Sequence, residues 1–212
     1  MLRSLEPELM DSPDLKGPVL DKFHRDLNFV HKCLGTFPTM ERFIRKDERP
    51  LRSIIDVGCG GGALLEYLHQ KLDVEVIGVD LNPPDMAKVK IIKADATLEP
   101  LPEADVAVCS LTAHHLTPEQ NIELIRNVSR SCRRFLIQDL IRHRLPLVLF
   151  TIFLCPLIGH EAAEDGRQSI RRAFTPEEFA NLVRTATAGT AATFTTDVSP
   201  FLSRQIIDIR FR

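Results

Sequence analysis

The chain has no tryptophan and a single tyrosine, Tyr67, among 212 residues. So few large rings leave little for base-stacking platforms. No excess of positive charge is present either: 27 basic residues face 29 acidic ones, a formal net charge of −2. That balance gives no general attraction to nucleic acid, and no nucleic-acid partner is expected. The five cysteines, Cys33, Cys59, Cys109, Cys132 and Cys155, are odd in number and contain no C-x-x-C pair. Neither a disulfide framework nor a zinc site is suggested, so no metal is expected and reduced thiols in a cytoplasmic protein are the simplest reading. The first seventeen residues are acidic and lack the apolar core of a signal peptide. The most apolar run, residues 145–159, is shorter than the ~20 residues a membrane span needs, and Pro146 and Pro156 interrupt it. What remains is an ordinary globular composition, 44% apolar and 26% charged, of a length suited to one domain.

Periodicity divides that length. Leu20, Phe23, Leu27, Val30 and Leu34 recur at spacings of three and four and predict a helix stopped by Gly35. A second short helix is expected over 39–47. From residue 52 strands and helices alternate. Strands are expected at 53–57, 74–79, 89–94, 104–109, 135–138, 190–196 and 205–211, and helices at 63–71, from Thr117 to about 131, and from Thr175 to about 188. Thr117-Pro118 with Gln120, and Thr175-Pro176 with Glu178, are capping boxes, and Phe174 and Phe179 form a staple across the second. The expected fold class is α/β: a doubly wound, seven-stranded, mostly parallel sheet with an antiparallel C-terminal edge. Residues 1–50 would form a helical cap and 51–212 the main domain. Only eight residues, 81–88, separate the second and third strands, fewer than a parallel crossover normally takes, and Pro83-Pro84 disfavours a helix start there.

The strongest chemical signal is Asp56-Val57-Gly58-Cys59-Gly60-Gly61-Gly62, between a strand and a helix. Glycines there let the backbone approach a ligand, and the helix N-terminus adds free N–H groups. Asp80 ends the next strand, 20 residues after Gly60, where an acid can accept hydrogen bonds from ribose hydroxyls. These two features alone also fit a nicotinamide dinucleotide, since Gly58, Gly60 and Ala63 satisfy G-x-G-x-x-A. Asp56 two residues before the first glycine, Asp95-Ala96 after the third strand and Leu111-Thr112-Ala113-His114-His115-Leu116 after the fourth tip the choice.

With these residues in order, the chain resembles the class I S-adenosylmethionine-dependent methyltransferases, whose D-x-G-x-G-x-G motif is met by Asp56, Gly58, Gly60 and Gly62, over about residues 50–140. The resemblance implies S-adenosylmethionine as cofactor. Gly58, Cys59 and Gly60 would hold its methionine moiety, and Asp80 with Leu81 the ribose. Asp95 and Ala96 would meet the adenine, and Ser110 would lie under the methionine end. Glu8-Leu9-Met10-Asp11, Arg25-Asp26-Leu27, Asp139-Leu140-Ile141-Arg142 and the stretch 169–175 resemble a bacterial subgroup of small-molecule methyltransferases, often encoded beside type III polyketide synthases. That implies a small phenolic or polyketide-type acceptor.

Oxygen acceptors need a base, and histidine suits that role near neutral pH. His115 is the favoured base, with His114 in reserve and Asp139 orienting a histidine or meeting the acceptor. The insertion 143–172, with its apolar run, is expected to be the acceptor-site lid and offers a peripheral contact with a membrane surface. Arg25, Asn28 and His31 lie near one stripe of the first helix and are expected to reach the site. The rival readings are C-methylation of an activated ring, a non-catalytic adenosyl-binding protein and a nicotinamide-dependent oxidoreductase. The residues leave the oligomeric state open.

Overall fold

The structure, a computed structural model, describes residues 1–9, 17–83 and 87–211. Met10, Asp11 and Pro84, and the side chain of Leu20, lie outside the described residues.

Seven strands form one sheet in the order β3-β2-β1-β4-β5-β7-β6. They are β1 (Ser53–Val57), β2 (Glu75–Asp80), β3 (Ile91–Lys93), β4 (Ala104–Ser110), β5 (Cys132–Leu140), β6 (Thr193–Val198) and β7 (Arg204–Arg210). The first five are parallel to one another, and β7 runs antiparallel to both β5 and β6. The antiparallel strand is thus one place in from the edge, and β6 forms the edge. This is the doubly wound sheet expected from the alternation of elements, and it has the Rossmann-like methyltransferase fold that the motif resemblance implies.

The helices are α1 (Gly17–Cys33), α2 (Thr36–Ile44), α3 (Ala63–Leu72), α4 (Pro118–Ser131), α5 (Arg144–Leu149), α6 (His160–Arg172) and α7 (Pro176–Ala186). Both layers of the core follow from their apolar faces. On one side Leu124, Ile125 and Val128 of α4 and Phe179 and Val183 of α7 pack against Ile55, Ala107, Phe135 and Ile207. On the other, Met40, Phe43 and Ile44 of α2 join Leu64, Leu65 and Leu68 of α3 over Ile54, Val106 and Leu136. Both expected capping boxes are present, and the Phe174 and Phe179 rings meet edge to face at 5.5 Å.

Three boundaries differ for identifiable reasons. Helix α2 begins at Thr36, three residues before its expected start, because Pro38 sits in the first turn, where its missing N–H costs nothing. Strand β5 extends past both expected ends. Its charged residues hide the strand pattern, yet Arg134 is fully buried and forks onto Asp208 of β7 through two 2.8 Å bonds, while donating to the carbonyls of Phe43 and Ile44. The insertion 143–172 is broken into several segments rather than one helix. After α5 come a π-helical segment, Phe150–Leu154, and a 3₁₀ turn, Cys155–Leu157. Pro156 supplies no N–H and crowds the carbonyl four residues earlier, which accounts for the break. In the short β2–β3 connection, none of the described residues is helical. No helix among the described residues is long and apolar enough to cross a membrane.

Candidate active site

Because β1 to β5 are parallel, their carboxyl ends share one edge of the sheet. The order β3-β2-β1-β4-β5 sets Asp95, Asp80, the glycine loop, Ser110 and Asp139 side by side along it. Strand order reverses between β1 and β4, and the crevice outside such a reversal is where open α/β sheets bind ligands.

The loop is held from two sides. Gly58 N–H donates to the Val79 carbonyl at 2.8 Å, and Gly60 N–H donates to Asp80 Oδ2 at 2.8 Å. The other Asp80 oxygen accepts from Asn82 N–H at 2.9 Å, so this acid shapes both the loop and its own turn. From the far side Thr112 Oγ1 donates to the Gly58 carbonyl at 3.0 Å. A Cβ on Gly58 would lie 2.2 Å from the Thr112 methyl, and the φ there is +72°, so glycine is required twice over. Gly60, at φ +51°, has open space where its Cβ would stand. The Cys59 thiol packs over Gly78 of β2. Leu111, directly after β4, also has a positive φ of 56°, unusual for a bulky side chain and a form of strain that clusters at functional sites.

Polar groups in this crevice include buried atoms with no partner among the described residues, notably Asp56 Oδ1 and Ser110 Oγ. Burial, and then the charge of Asp80, push the Asp56 carboxyl well above the usual carboxylate range. Asp95 closes its own turn: Oδ1 accepts from Thr97 N–H at 2.8 Å and Thr97 Oγ1 at 2.6 Å. Leu81 is exposed and Ala96 half-buried. Orphaned polar atoms, a positive-φ glycine cradle and open space beside Gly60 are what an adenosyl ligand with a charged amino-acid end would fill.

At the β4–β5 end of the crevice, His114 is buried and His115 half-buried in a single 3₁₀ turn, their rings 4.4 Å apart. Asp139 Oδ1 lies 2.6 Å from His114 Nδ1, and its Oδ2 accepts from His114 N–H at 2.8 Å. Burial opposes charge on His114. The charge and hydrogen bond of Asp139, with the charge of Glu8, outweigh it, so the imidazole titrates above its ordinary value. Glu8 is the group that motif reading left without a role. Its Oε1 lies 3.6 Å from His114 Nε2 and its Oε2 3.7 Å from His115 Nε2. The signal was available, since Glu8 opens the first of the subgroup stretches. What pairing it with histidines 106 residues later requires is the packing of residues 1–9 against α6.

The other candidates fall elsewhere. Arg25 and Asn28 are exposed on α1, and His31 packs on Phe37, its ring held below its ordinary value by burial and by Arg204. The described contacts do not bring these three to the crevice. His143 caps α5 by accepting from Leu145 N–H, and His160 is exposed. The insertion is anchored by α1, where Asp26 Oδ2 accepts from Gly159 N–H at 2.8 Å. The Phe150 ring lies on Gly166 of α6, where a Cβ would approach it to 2.4 Å. Leu145, Val148, Ile152, Phe153 and Leu157 remain exposed.

Comparison with known proteins agrees with this layout. The methyltransferase domain family matches over residues 55–137. Phosphoethanolamine N-methyltransferase 1 of Arabidopsis thaliana is 28% identical over 119 residues, 55% of this chain, and the chain spans only 23% of that relative's length. Among solved structures, the plantazolicin methyltransferase BpumL in complex with S-adenosylhomocysteine superposes with a TM-score of 0.73 at 17% identity, covering 96% of this chain and 92% of that one. An O-methyltransferase-like protein of Nostoc punctiforme gives 0.66 at 15% identity, covering 99% and 64%. Motif, topology and family match converge on one part of the chain: residues 55–137 match the methyltransferase domain family, within a sheet of the Rossmann-like methyltransferase fold.

Proposed function

We propose that the chain methylates a small, apolar or phenolic acceptor at oxygen, with His115 as the base. The observation that carries this reading is the order of groups along one sheet edge. Loop glycines and orphaned polar atoms stand over β1 and β4, and the paired histidines stand next to them over β4 and β5.

Bound S-adenosylmethionine supplies an activated methyl group on a sulfonium, so the protein's work is positioning and proton removal. The loop from Gly58 to Gly60, with Cys59 at its centre, holds the methionine end, and Asp56 and Ser110 offer it their unpartnered oxygens. Two positive charges, ammonium and sulfonium, suit a crevice in which burial and the charge of Asp80 oppose the ionisation of Asp56. Asp80, beside Leu81, keeps acceptor capacity for the ribose beyond its two N–H partners, and Asp95 with the Ala96 backbone bounds the adenine. His115, with a quarter of its side chain exposed, takes the acceptor proton while His114 and Asp139 stay buried behind it. The exposed apolar side chains of the lid give an apolar acceptor its approach, as the lid's α6 packs on the histidine turn and Arg172 donates to the His115 carbonyl at 3.0 Å.

Labelled methyl transfer into a panel of phenols and alkyl phenols tests the reading, with binding of S-adenosylhomocysteine followed by calorimetry. His115→Ala is expected to lower turnover at least ~100-fold, the usual scale of general-base catalysis, while cofactor affinity holds. Undiminished transfer by that variant would assign the proton elsewhere.

A further inference from the structure

Residues 1–9 are stitched across the far side of the histidine turn. Arg3 donates to the carbonyls of Arg172, His114 and Leu116 at 2.6, 3.1 and 2.8 Å, and its guanidinium lies 4.0 Å over the Phe174 ring. Ser4 N–H donates to the Arg171 carbonyl, and Leu9 N–H to Asp165 Oδ1. Gln168 Nε2 donates to both Ser4 Oγ and the Glu6 carbonyl at 2.8 Å. This scaffold delivers one carboxylate, Glu8, to a place where it is 4% exposed. Ser169 Oγ donates to its Oε2 at 2.5 Å.

We propose that Glu8 is a positioning residue that joins the two histidines into one chain, Asp139–His114–Glu8–His115, so that the segment 1–9 completes the proton-handling half of the site. The inference rests on the reading of His115 as the base. Its physical content is a carboxylate on either side of the His114 ring, one of which also reaches His115. His114 has a carboxylate at each ring nitrogen, Asp139 at 2.6 Å and Glu8 at 3.6 Å, which favours the doubly protonated ring. Glu8 then presents its second oxygen to Nε2 of His115 at 3.7 Å, fixing that edge of the ring. Among the described residues, charged groups that also face the cluster include Arg172 of α6, whose Nε lies 3.5 Å from Glu8 Oε1, and Arg3 on the His114 carbonyl. Without Glu8, His115 would keep its place in the turn and lose the carboxylate that holds its Nε2 edge.

The test follows the imidazole ¹⁵N resonances of the full chain with S-adenosylhomocysteine bound, as pH is raised, in wild type, Glu8→Gln and Glu8→Asp. Glu8→Gln keeps shape and removes charge. Its His114 midpoint is expected to move down, and the His115 resonances to shift with it, while S-adenosylhomocysteine affinity is unchanged. Glu8→Asp, which retains the charge on a shorter arm, is expected to fall between the two. A His114 midpoint that does not move in either variant would overturn the proposal. The same three groups lie within 4.8 Å of one another in a geometry that could hold a cation. Stoichiometric Zn²⁺ uptake by wild type that is lost in Glu8→Gln would also overturn it, since the groups would then be ligands. The base reading fails separately, through an active His115→Ala, and that result leaves the titration standing.

Discussion

At the scale of single residues, the crevice stores cost as well as function. Asp56 is buried, unpartnered at one oxygen and raised above the ordinary carboxylate range by burial and by Asp80. A group whose folded value is raised favours the folded state in its protonated form, and that contribution is lost as pH climbs through the folded value. At neutral pH, Asp56 therefore opposes folding of the ligand-free chain. Asp56→Asn is expected to stabilise the free protein at pH 7, to lose that advantage as pH falls through the ordinary carboxylate range, and to weaken cofactor binding. Denaturant unfolding at several pH values, paired with calorimetry of S-adenosylhomocysteine, reads both effects. Such an exchange of stability for binding is common where a site must receive charge. The glycines of the loop are the residues most legible from sequence, because a positive φ leaves few alternatives. Thr112 was not legible as their partner. Its methyl occupies the space that Gly58 lacks, a fact of packing between β1 and β4 that no spacing records.

At the scale of elements, β5 shows where sequence patterns lose their grip. Arg133, Arg134, Gln138 and Asp139 read as polar, yet the strand is the sheet's interior, paired with β4 and β7. Polar strand residues can be buried when each finds a charged or carbonyl partner, and those partners come from distant segments. Arg134→Ala is expected to destabilise the chain by about 3–5 kcal/mol, the cost of breaking a buried ion pair and leaving Asp208 with only the more distant, exposed Arg210 at 3.5 Å, and urea midpoints would show it. Helices α4 and α7 were legible for the opposite reason: their capping boxes and apolar faces are local. The insertion 143–172 was legible as an apolar run, and its break was written in Pro156. Its exposed side chains are tolerant of change in stability terms. Phe153→Asp, at a side chain 64% exposed, is expected to leave the unfolding midpoint within the range of ordinary surface substitutions and to weaken capture of apolar acceptors, a split that kcat and KM on a graded series of alkyl phenols would resolve.

At the scale of the whole molecule, the two halves of the crevice draw on different lengths of chain. The half proposed to hold the cofactor takes its groups from residues 56–110, and that run was the part most readily read from sequence. The half proposed to handle the proton joins the histidine turn to Asp139, to α6 and to residues 1–9. Contacts such as Ser4 with Arg171 and Glu8 with Ser169 span more than 160 residues. Closing a long loop costs entropy before any contact rewards it, so contacts of that separation form late. During synthesis on the ribosome the first nine residues emerge before every partner they hold, and the last of those partners, α6 and Phe174, follow five of the seven strands. Until α6 is made, Glu8 and the two histidines lack the helix whose Ser169 and Arg172 hold that carboxylate. The order of synthesis thus sets the groups proposed to hold the methyl donor apart from the scaffold proposed to position the base.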